Sequence, residues 1–298
     1  MPRLALIVNP FSTGVTRPRV DAVEEALRAR AEVSTRLTVQ PGHATELAAE
    51  AVGTFDALVV FSGDGTYNEA LNGAAGRIPF GFLPGGGSSV LSRALGLPRD
   101  PVAAARAVAD ALDEGRSRTI GLGRVNGRRF SFSAGIGLDA AVVRRVEAHG
   151  RSKDGRRVGN LVFAGTVGAE LLRRRLRLEP ALEVEGRGRA AFALVSNGWP
   201  YTFAGPLAIR LFPDDEPLAG ALDFVAPERV TPASASRLLA ALVRGRLGET
   251  EGVLSGRGLG RLAVRCDEPL PLQADGEDLG DVAEAVFEAE PDALTVLG

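Results

Sequence analysis

The first 118 residues alternate short apolar runs with helical stretches, and this alternation restricts the fold more than any other feature of the sequence. Strands are predicted at 4–8, 33–37, 57–61 and 79–83, and helices at 19–30, 44–52, 67–75 and 101–113. Such an order predicts an α/β unit built on a mainly parallel sheet. Ligands of such sheets bind beyond the carboxyl ends of the strands, so the loops that follow the strands are the place to look for a site.

Beyond about residue 119 the pattern changes to short strands separated by turns. Strands are predicted at 129–134, 182–184, 191–196, 208–212, 222–225, 259–266, 270–273, 285–289 and 294–297, and helices at 159–175 and 232–243. An antiparallel sheet or β-sandwich is the expected outcome. We therefore predict two domains, 1–120 and 121–298, with a return of the last residues to the first domain as an alternative.

Composition excludes several classes of protein. The single cysteine, Cys266, cannot close a disulfide within the chain, and two histidines cannot complete a Cys/His zinc site. A net charge of −2 gives no electrostatic argument for nucleic acid as a partner. No run approaches the roughly 18 apolar residues of a membrane span. The expected location is the cytoplasm, with peripheral contact at the inner face of the membrane.

The most informative stretch is 62–73, Ser-Gly-Asp-Gly-Thr-Tyr-Asn-Glu-Ala-Leu-Asn-Gly, which follows a predicted strand and leads into a helix. Glycine turns let backbone N–H groups approach a phosphate, and a helix N-terminus adds partial positive charge. The stretch predicts an anion site in which Asp64 acts on a divalent cation that bridges phosphate oxygens. An ordinary Asp-Gly turn with Thr66 capping a helix is the alternative that the motif leaves open.

Two further loops follow predicted strands. The loop 9–14, Asn-Pro-Phe-Ser-Thr-Gly, suits a nucleotide phosphate or sugar, although a polar strand exit is an equal alternative. The loop 83–89, Leu-Pro-Gly-Gly-Gly-Ser-Ser, enters a helix that continues to Arg93. Three such loops are expected to converge on one nucleotide site. Their candidate nucleotide-contacting residues include Pro10, Thr13, Gly14, Asn68, Gly86 and Ser88.

Near the end of the sequence an apolar strand runs into Asp275, Gly276 and Glu277. In isolation, Asp-Gly between strands is above all a hairpin turn. A kinase that acts on an alcohol, however, needs a carboxylate within hydrogen-bond reach of the attacking hydroxyl. Combined with an upstream phosphate site, the sequence makes Glu277 the candidate general base.

These four pieces, in this order, resemble the diacylglycerol kinase catalytic-domain family of bacterial lipid kinases, which is related to sphingosine and ceramide kinases and more distantly to NAD kinases. Residues 62–73 resemble the family's G-G-D-G-T-x-N-E-V-x-N-G. Residues 133–140 are similar to its mid-chain glycine segment, Asn197 with 200–203 to its substrate-cleft stretch, and 273–277 to its terminal V-D-G-E. The resemblance covers nearly the whole chain.

The resemblance implies ATP-dependent phosphorylation of a lipid hydroxyl by an N-terminal α/β domain and a C-terminal β-sandwich. Diacylglycerol, converted to phosphatidic acid, is the expected substrate. ATP and Mg²⁺ are the implied cofactors, with the metal near Asp64, and Asp64 and Glu277 are the implied catalytic residues. By the same matching, nucleotide-binding positions fall on Asn9, Ser12, Thr38, Gly63, Asp64, Gly65, Thr66 and Glu69.

Five positions depart from the family pattern. Gly87, Ser89 and Val90 stand in the third loop where many members carry G-T-x-N-D, and Gly121 and Ala219 stand where members carry aspartates. These departures leave Asp64 as the one obvious acidic group for magnesium. The most similar pattern is that of an actinobacterial-type subgroup with P-G-G-S-T-N-V-F-A-R in this loop.

The leading hypothesis is therefore a lipid kinase that meets its substrate at a membrane surface. Two alternatives stay open: a related kinase acting on a sphingoid base or NAD, and a nucleotide- or lipid-binding homologue with weakened catalysis. Arginines that could attract anionic lipid, or simply form a solvated face, are Arg144, Arg145, Arg156, Arg157, Arg173, Arg174, Arg175 and Arg177. The sequence leaves the oligomeric state open, with a homodimer as one expectation.

Overall fold

The computed structural model describes residues 1–150, 177–214, 218 and 220–298. In it, one unit holds residues 1–120 together with 292–298, and a second holds the described residues of 121–291. The predicted helix at 159–175 lies outside the described residues. So do Ala219 and, among the arginines considered for lipid contact, Arg156, Arg157, Arg173, Arg174 and Arg175.

The first unit is built on a parallel sheet, as the alternating pattern predicts. Its strands are β1 Arg3–Val8, β2 Glu32–Leu37, β3 Ala57–Ser62 and β4 Phe80–Pro84. They pair in parallel in the order β4-β3-β1-β2. Every residue of β3 is buried, which explains why its sequence is apolar without alternation from Ala57 to Phe61.

Five helices connect or follow these strands. They are α1 Arg17–Arg28, α2 His43–Ala51, α3 Asp64–Ala74, α4 Val90–Ala94 and α5 Pro101–Asp113. Pro at the first turn begins α1 and α5, and Asp100 caps α5 by accepting the Ala103 N–H at 2.8 Å. Helices α1 and α5 bury aliphatic side chains such as Val23, Leu27 and Val108 against the sheet.

The second unit is dominated by antiparallel strands. They are β5 Arg118–Val125, β6 Arg128–Phe130, β7 Ser133–Ile136, β8 Leu182–Val184, β9 Gly188–Ala190, β10 Ala193–Ser196, β11 Thr202–Ala204, β12 Leu207–Ile209, β13 Leu222–Pro227, β14 Val253–Leu259, β15 Arg261–Ala274 and β16 Glu277–Val296. The first residues of β5 and the last of β16 belong to the first unit. The path β14-β13-β10-β7-β15-β16 is antiparallel throughout.

Two helices of the second unit are α6 Leu138–Gly150 and α7 Pro232–Val243. Helix α7 has the predicted bounds and begins with a capping box between Thr231 and Ser234. Helix α6 was not predicted, because its Gly-Leu-Asp start resembles a glycine turn. Strands β15 and β16 replace four shorter predicted strands, since irregular register within the ladder lets both continue through turn-forming residues.

The end of β16 closes the sheet of the first unit. Val296 pairs in parallel with Phe80 of β4, and the Leu297 N–H donates to the Phe80 carbonyl at 2.8 Å. Leu294, Val296 and Leu297 are buried. These three side chains therefore form part of the core of the first unit.

Candidate active site

Side-chain hydrogen bonds join the first loop, residues 9–14, to the second loop, the turn at residues 62–66; residues 83–89 are the third loop. The Asn9 amide donates to Thr66 Oγ1 at 2.9 Å, and Ser62 Oγ donates to the same oxygen at 2.8 Å. Ser12 Oγ lies 2.8 Å from Ser62 Oγ. Because the Thr66 hydroxyl accepts two hydrogen bonds, its own proton remains available to donate to a bound acceptor. Thr38 is buried after β2, and its N–H donates to the carbonyl of Val8, the residue before Asn9, at 2.9 Å.

The third loop packs against the other two through glycines. The Gly85 N–H donates to the Ser62 carbonyl at 2.6 Å, and the Gly14 N–H donates to the Gly85 carbonyl at 2.8 Å. A Cβ atom at Gly86 would lie 2.6 Å from the Cα of Gly63, closer than two carbon atoms can approach. The three loops thus meet at one edge of the sheet, and they do so at distances that only glycine permits.

The N-terminus of α3 lies within this group of loops. Gly63 is its N-cap residue, no side chain caps it, and its first turn contains Asp64, Gly65 and Thr66. The N–H groups of a first helical turn have no partner within the helix, and the helix dipole favours negative charge there. Together with the Thr66 hydroxyl, this arrangement can bind a phosphate group.

Asp64 has a role that the sequence did not indicate. Its Oδ2 accepts the Val90 N–H at 2.9 Å and the Ser88 hydroxyl at 3.1 Å, and its Oδ1 accepts the Leu91 N–H at 3.0 Å. The side chain is buried. Asp64 therefore caps helix α4 and fixes the end of the third loop, so that the second and third loops are held as one structure.

We expect Asp64→Asn to lower the free energy of unfolding by about 1 to 3 kcal/mol, because the new amide turns an NH₂ group toward at least one of the three donors. Urea unfolding monitored by circular dichroism measures this change. Ser88→Ala removes a single hydroxyl donor and should cost less, about 1 kcal/mol. Equal stability losses in the two variants would contradict the capping role of Asp64.

In the described part of the chain, the residues around Asp64 do not form a protein cage for a magnesium ion. Both carboxylate oxygens of Asp64 accept hydrogen bonds from the third loop and α4. Among the residues that the structure describes, no group of three or more His, Cys, Asp or Glu side chains could hold a metal. Val90 stands where many family members carry an aspartate, and its backbone N–H donates to Asp64. A magnesium ion near Asp64, which the resemblance implies, stays a prediction.

Glu69 and Asn68, predicted as nucleotide-binding residues, contribute to the packing of α3. Glu69 Oε2 accepts the Ala44 N–H at the start of α2 at 3.2 Å. The Asn72 amide donates to the Asn68 carbonyl at 2.9 Å. A Cβ atom at Gly73 would lie 2.3 Å from the Thr45 carbonyl oxygen. These contacts show that Asn68, Glu69 and Gly73 of the motif take part in the packing of α3. Nucleotide contact by Glu69 and Asn68 stays a prediction.

Tyr67 is a site residue that sequence reasoning missed. Its hydroxyl donates to the Leu83 carbonyl at 2.5 Å, and its ring meets Phe82 edge to face with centroids 5.0 Å apart. Burial, together with the charge of Asp64, raises the pKa of Tyr67 well above its usual value. Tyr67 thereby joins α3 to β4 beneath the loops. The sequence has only two tyrosines, and this scarcity was the one signal that could have drawn attention to Tyr67.

Asp275 and Gly276 form the two-residue turn between β15 and β16, with φ angles of 50° and 80°. The structure therefore confirms that Asp275 and Gly276 form a hairpin turn. The Asp275 carboxylate accepts the N–H groups of Ser131, Phe132 and Ser133 at 2.6, 3.0 and 3.2 Å. These bonds anchor the turn to the segment before β7.

Glu277 pairs with Ala274 directly after this turn and forms an ion pair with Arg128. The Arg128 guanidinium lies 2.6 Å from Glu277 Oε2, and the two side chains are 33% and 21% exposed. Glu277 is thus accessible to a substrate while one of its oxygens is fixed. Arg128 was missed because it is 149 residues away and lies in an ordinary hairpin sequence.

Asn197, in the stretch expected at the substrate, is a buried structural link. Its amide donates to the carbonyls of Gly121 and Ser131 at 2.8 and 3.0 Å, and its Oδ1 accepts the Gly220 N–H at 3.0 Å. Gly121 lies in β5 and donates its N–H to the Leu218 carbonyl at 3.0 Å. This polar cluster joins β5, β10 and the segment before β7.

Comparison with known proteins matches the two parts of the chain to two family models. Residues 3–125 match the diacylglycerol kinase catalytic domain, and residues 133–298 match the YegS C-terminal NAD kinase beta sandwich-like domain. A diacylglycerol kinase of Bacillus subtilis (strain 168) is 29% identical over 286 residues, which cover 93% of this chain and 90% of that protein.

Solved structures have the same fold. The crystal structure of a diacylglycerol kinase from Bacillus anthracis str. Sterne aligns with a TM-score of 0.69 and 19% identity, covering 99% of this chain and 96% of that one. An NAD kinase from Archaeoglobus fulgidus in complex with ATP aligns with a TM-score of 0.55 and 16% identity, covering 99% and 93%. These matches confirm the α/β and β-sandwich fold class; the actinobacterial-type subgroup stays a prediction.

Proposed function

Since the chain belongs to the diacylglycerol kinase catalytic-domain family and is a kinase with an alcohol acceptor, we propose that it transfers the γ-phosphoryl group of ATP to the free hydroxyl of diacylglycerol. The product would be phosphatidic acid. The Bacillus subtilis relative that carries this activity in its name aligns over nearly the full length of both chains. The 29% identity to that relative, against 16% to the NAD kinase, favours diacylglycerol over NAD as the acceptor.

The observation that carries the proposal is the meeting of three loops in the first unit. Gly63 and Gly86 touch, and the Asn9, Thr66 and Ser62 side chains are linked by hydrogen bonds. In the proposed reaction these loops hold the ATP phosphates by backbone N–H groups, the α3 N-terminus and the Thr66 hydroxyl. Positioning of this kind, with electrostatic stabilisation, is the main source of catalysis in phosphoryl transfer.

Glu277 is the proposed general base. The lipid hydroxyl oxygen attacks the γ-phosphorus, the bond to the bridging oxygen breaks, ADP leaves and Glu277 accepts the hydroxyl proton. The ion pair with Arg128 supports this role because it fixes one carboxylate oxygen in a definite orientation. Asp64 is proposed to act by holding the third loop in place.

Transfer of label from [γ-³²P]ATP to lipid in mixed micelles tests the proposal. We expect labelled phosphatidic acid when diacylglycerol is present and no labelled lipid in micelles without it. Labelling of sphingosine, or of NAD in solution, in place of diacylglycerol would favour the related-kinase alternative. Binding of ATP without transfer to any acceptor would favour a homologue with weakened catalysis, for which Val90, Gly121 and Ala219 are the motivation.

Such a substrate places the reaction at a membrane surface, and we propose peripheral contact with the cytoplasmic face. No helix in the described part of the chain is long and apolar enough to cross a bilayer. Of the arginines considered for lipid contact, Arg144 bonds to the Asp278 and Asp281 carboxylates, which raises its pKa. Arg145 and Arg177 stay candidates for that contact.

A further inference from the structure

A buried polar cluster in the second unit has no part in the roles proposed above. Gln273 Nε2 donates to Asp139 Oδ2 at 2.6 Å, and the Tyr201 hydroxyl donates to the same oxygen at 2.7 Å. Gln273 and Tyr201 are 2% and 6% exposed. Desolvation raises the pKa of Asp139, and burial with the charge of Asp139 raises that of Tyr201. A buried cluster of this kind is retained where its members are hydrogen-bonded to one another.

Gly135 makes room for this cluster. It lies in β7 directly opposite Gln273 of β15. A Cβ atom at Gly135 would lie 2.5 Å from Asp139 Oδ2 and 3.2 Å from Asp139 Cβ and Cγ. Without a side chain at this position, the Asp139 carboxylate can cross the strand and reach Gln273. Part of the glycine segment at 133–140 is explained by this contact.

The other end of Gln273 reaches the turn before Glu277. Its Oε1 accepts the Gly276 N–H at 2.9 Å. Because its Nε2 donates to a carboxylate, the amide has one orientation only, and its oxygen must face Gly276. Gly276 has a φ of 80°, and its carbonyl forms the peptide bond with Glu277. Asp275 anchors the same turn from the other side, through residues 131–133.

We propose that Gln273, fixed by Asp139 and Tyr201, is a positioning residue that sets the backbone orientation of Glu277. The inference rests on the proposed function, in which Glu277 is the base. A base must lie within a few tenths of an ångström of its productive position, and a displacement of about 1 Å can lower the rate about 10²-fold. The cluster holds Gly276, the residue directly before the base, through its hydrogen bond to Gln273.

Gln273→Met removes the hydrogen bonds of the amide to Asp139, Tyr201 and Gly276 with little change in side-chain length. We expect kcat to fall about 10- to 100-fold, with the KM for ATP changed less than about twofold, because only the position of the base is altered. Tyr201→Phe should lower kcat in the same way but less. The double variant should lose less than the product of the two single effects, since both act through Asp139.

Hydrogen exchange at the Gly276 amide gives a readout that does not depend on catalysis. We expect exchange in the free protein to be about tenfold faster in Gln273→Met and measurably faster in Tyr201→Phe. Ser255→Ala is the matched control, because it removes a partly buried hydroxyl that donates to the Gly248 carbonyl at 2.9 Å, outside this cluster. It should leave exchange at Gly276 and kcat unchanged.

Unchanged exchange at Gly276 in both variants would overturn the proposal, as would an equal fall in kcat and rise in the KM for ATP. If Gln273→Met fails to fold, Tyr201→Phe decides the question alone. If the wild-type protein phosphorylates no lipid, the proposed function fails, whereas the exchange measurement still decides whether Gln273 holds the turn.

Discussion

Glu277→Gln should lower kcat for phosphoryl transfer to diacylglycerol by about 10²- to 10⁴-fold, because the amide cannot accept the hydroxyl proton. The variant keeps an oxygen at the same position, so the contact with Arg128 and the turn geometry should persist. The KM for ATP and the free energy of unfolding should therefore remain close to those of the wild type. Steady-state kinetics in mixed micelles, with ATP varied at saturating lipid, measure both constants.

Glu284→Gln is the matched control for this experiment. Glu284 lies on the same strand, is 49% exposed and pairs across 3.6 Å with Arg265, which is more exposed still. Loss of such a surface pair should change neither kcat nor stability measurably. Wild-type turnover in the Glu277 variant would remove that residue from the mechanism. A comparable loss in the Glu284 variant would show that the micelle assay responds to strand charge rather than to proton transfer.

Gly86→Ala should weaken ATP binding about tenfold or more and lower the free energy of unfolding by about 1 to 3 kcal/mol, because the new methyl forces two loop backbones apart. Its Cβ would lie 2.6 Å from Gly63 Cα, and neither backbone can move without breaking the contact between loops. Isothermal titration with ATP and urea unfolding measure the two effects.

The adjacent Gly87→Ala is an unusually close control. A Cβ atom at Gly87 would meet nothing within 4 Å. The same chemical change, one residue away, should therefore alter the free energy of unfolding by less than about 0.5 kcal/mol. ATP affinity should stay within about twofold in this variant. Equal losses of affinity in both variants would mean that loop flexibility, rather than the contact with Gly63, governs nucleotide binding.

The sequence predicted the first unit well because buried parallel strands leave a strong local signal. Strand β3 is apolar at every position before Ser62, and the helix after it begins at a glycine turn. The second unit gave weaker signals. Strand β14 contains Gly256 and Gly258, and β16 continues through Pro291 and Asp292, which locally predict a turn. Pairing with neighbouring strands overrides these local preferences.

In the candidate site too, features set by neighbouring residues were predicted, whereas contacts between residues far apart in the sequence were not. Glycine loops at strand ends are visible as local patterns, and the structure brings all three together. The bonds from Asp64 to the Val90 and Leu91 amides join residues 26 and 27 positions apart, and the Arg128–Glu277 pair spans 149. No periodicity or motif encodes such contacts, because they depend on which loops the completed fold places in contact.

The return of residues 292–298 to the first unit affects the order of assembly during synthesis. Strand β4 lacks its last neighbour until Val296 and Leu297 have left the ribosome, although the three loops at the other end of that sheet are synthesised long before. The first unit therefore lacks one strand of its sheet until residues 292–298 have been synthesised. Deletion of residues 292–298 should therefore disturb the first unit and, with it, the proposed affinity for the nucleotide.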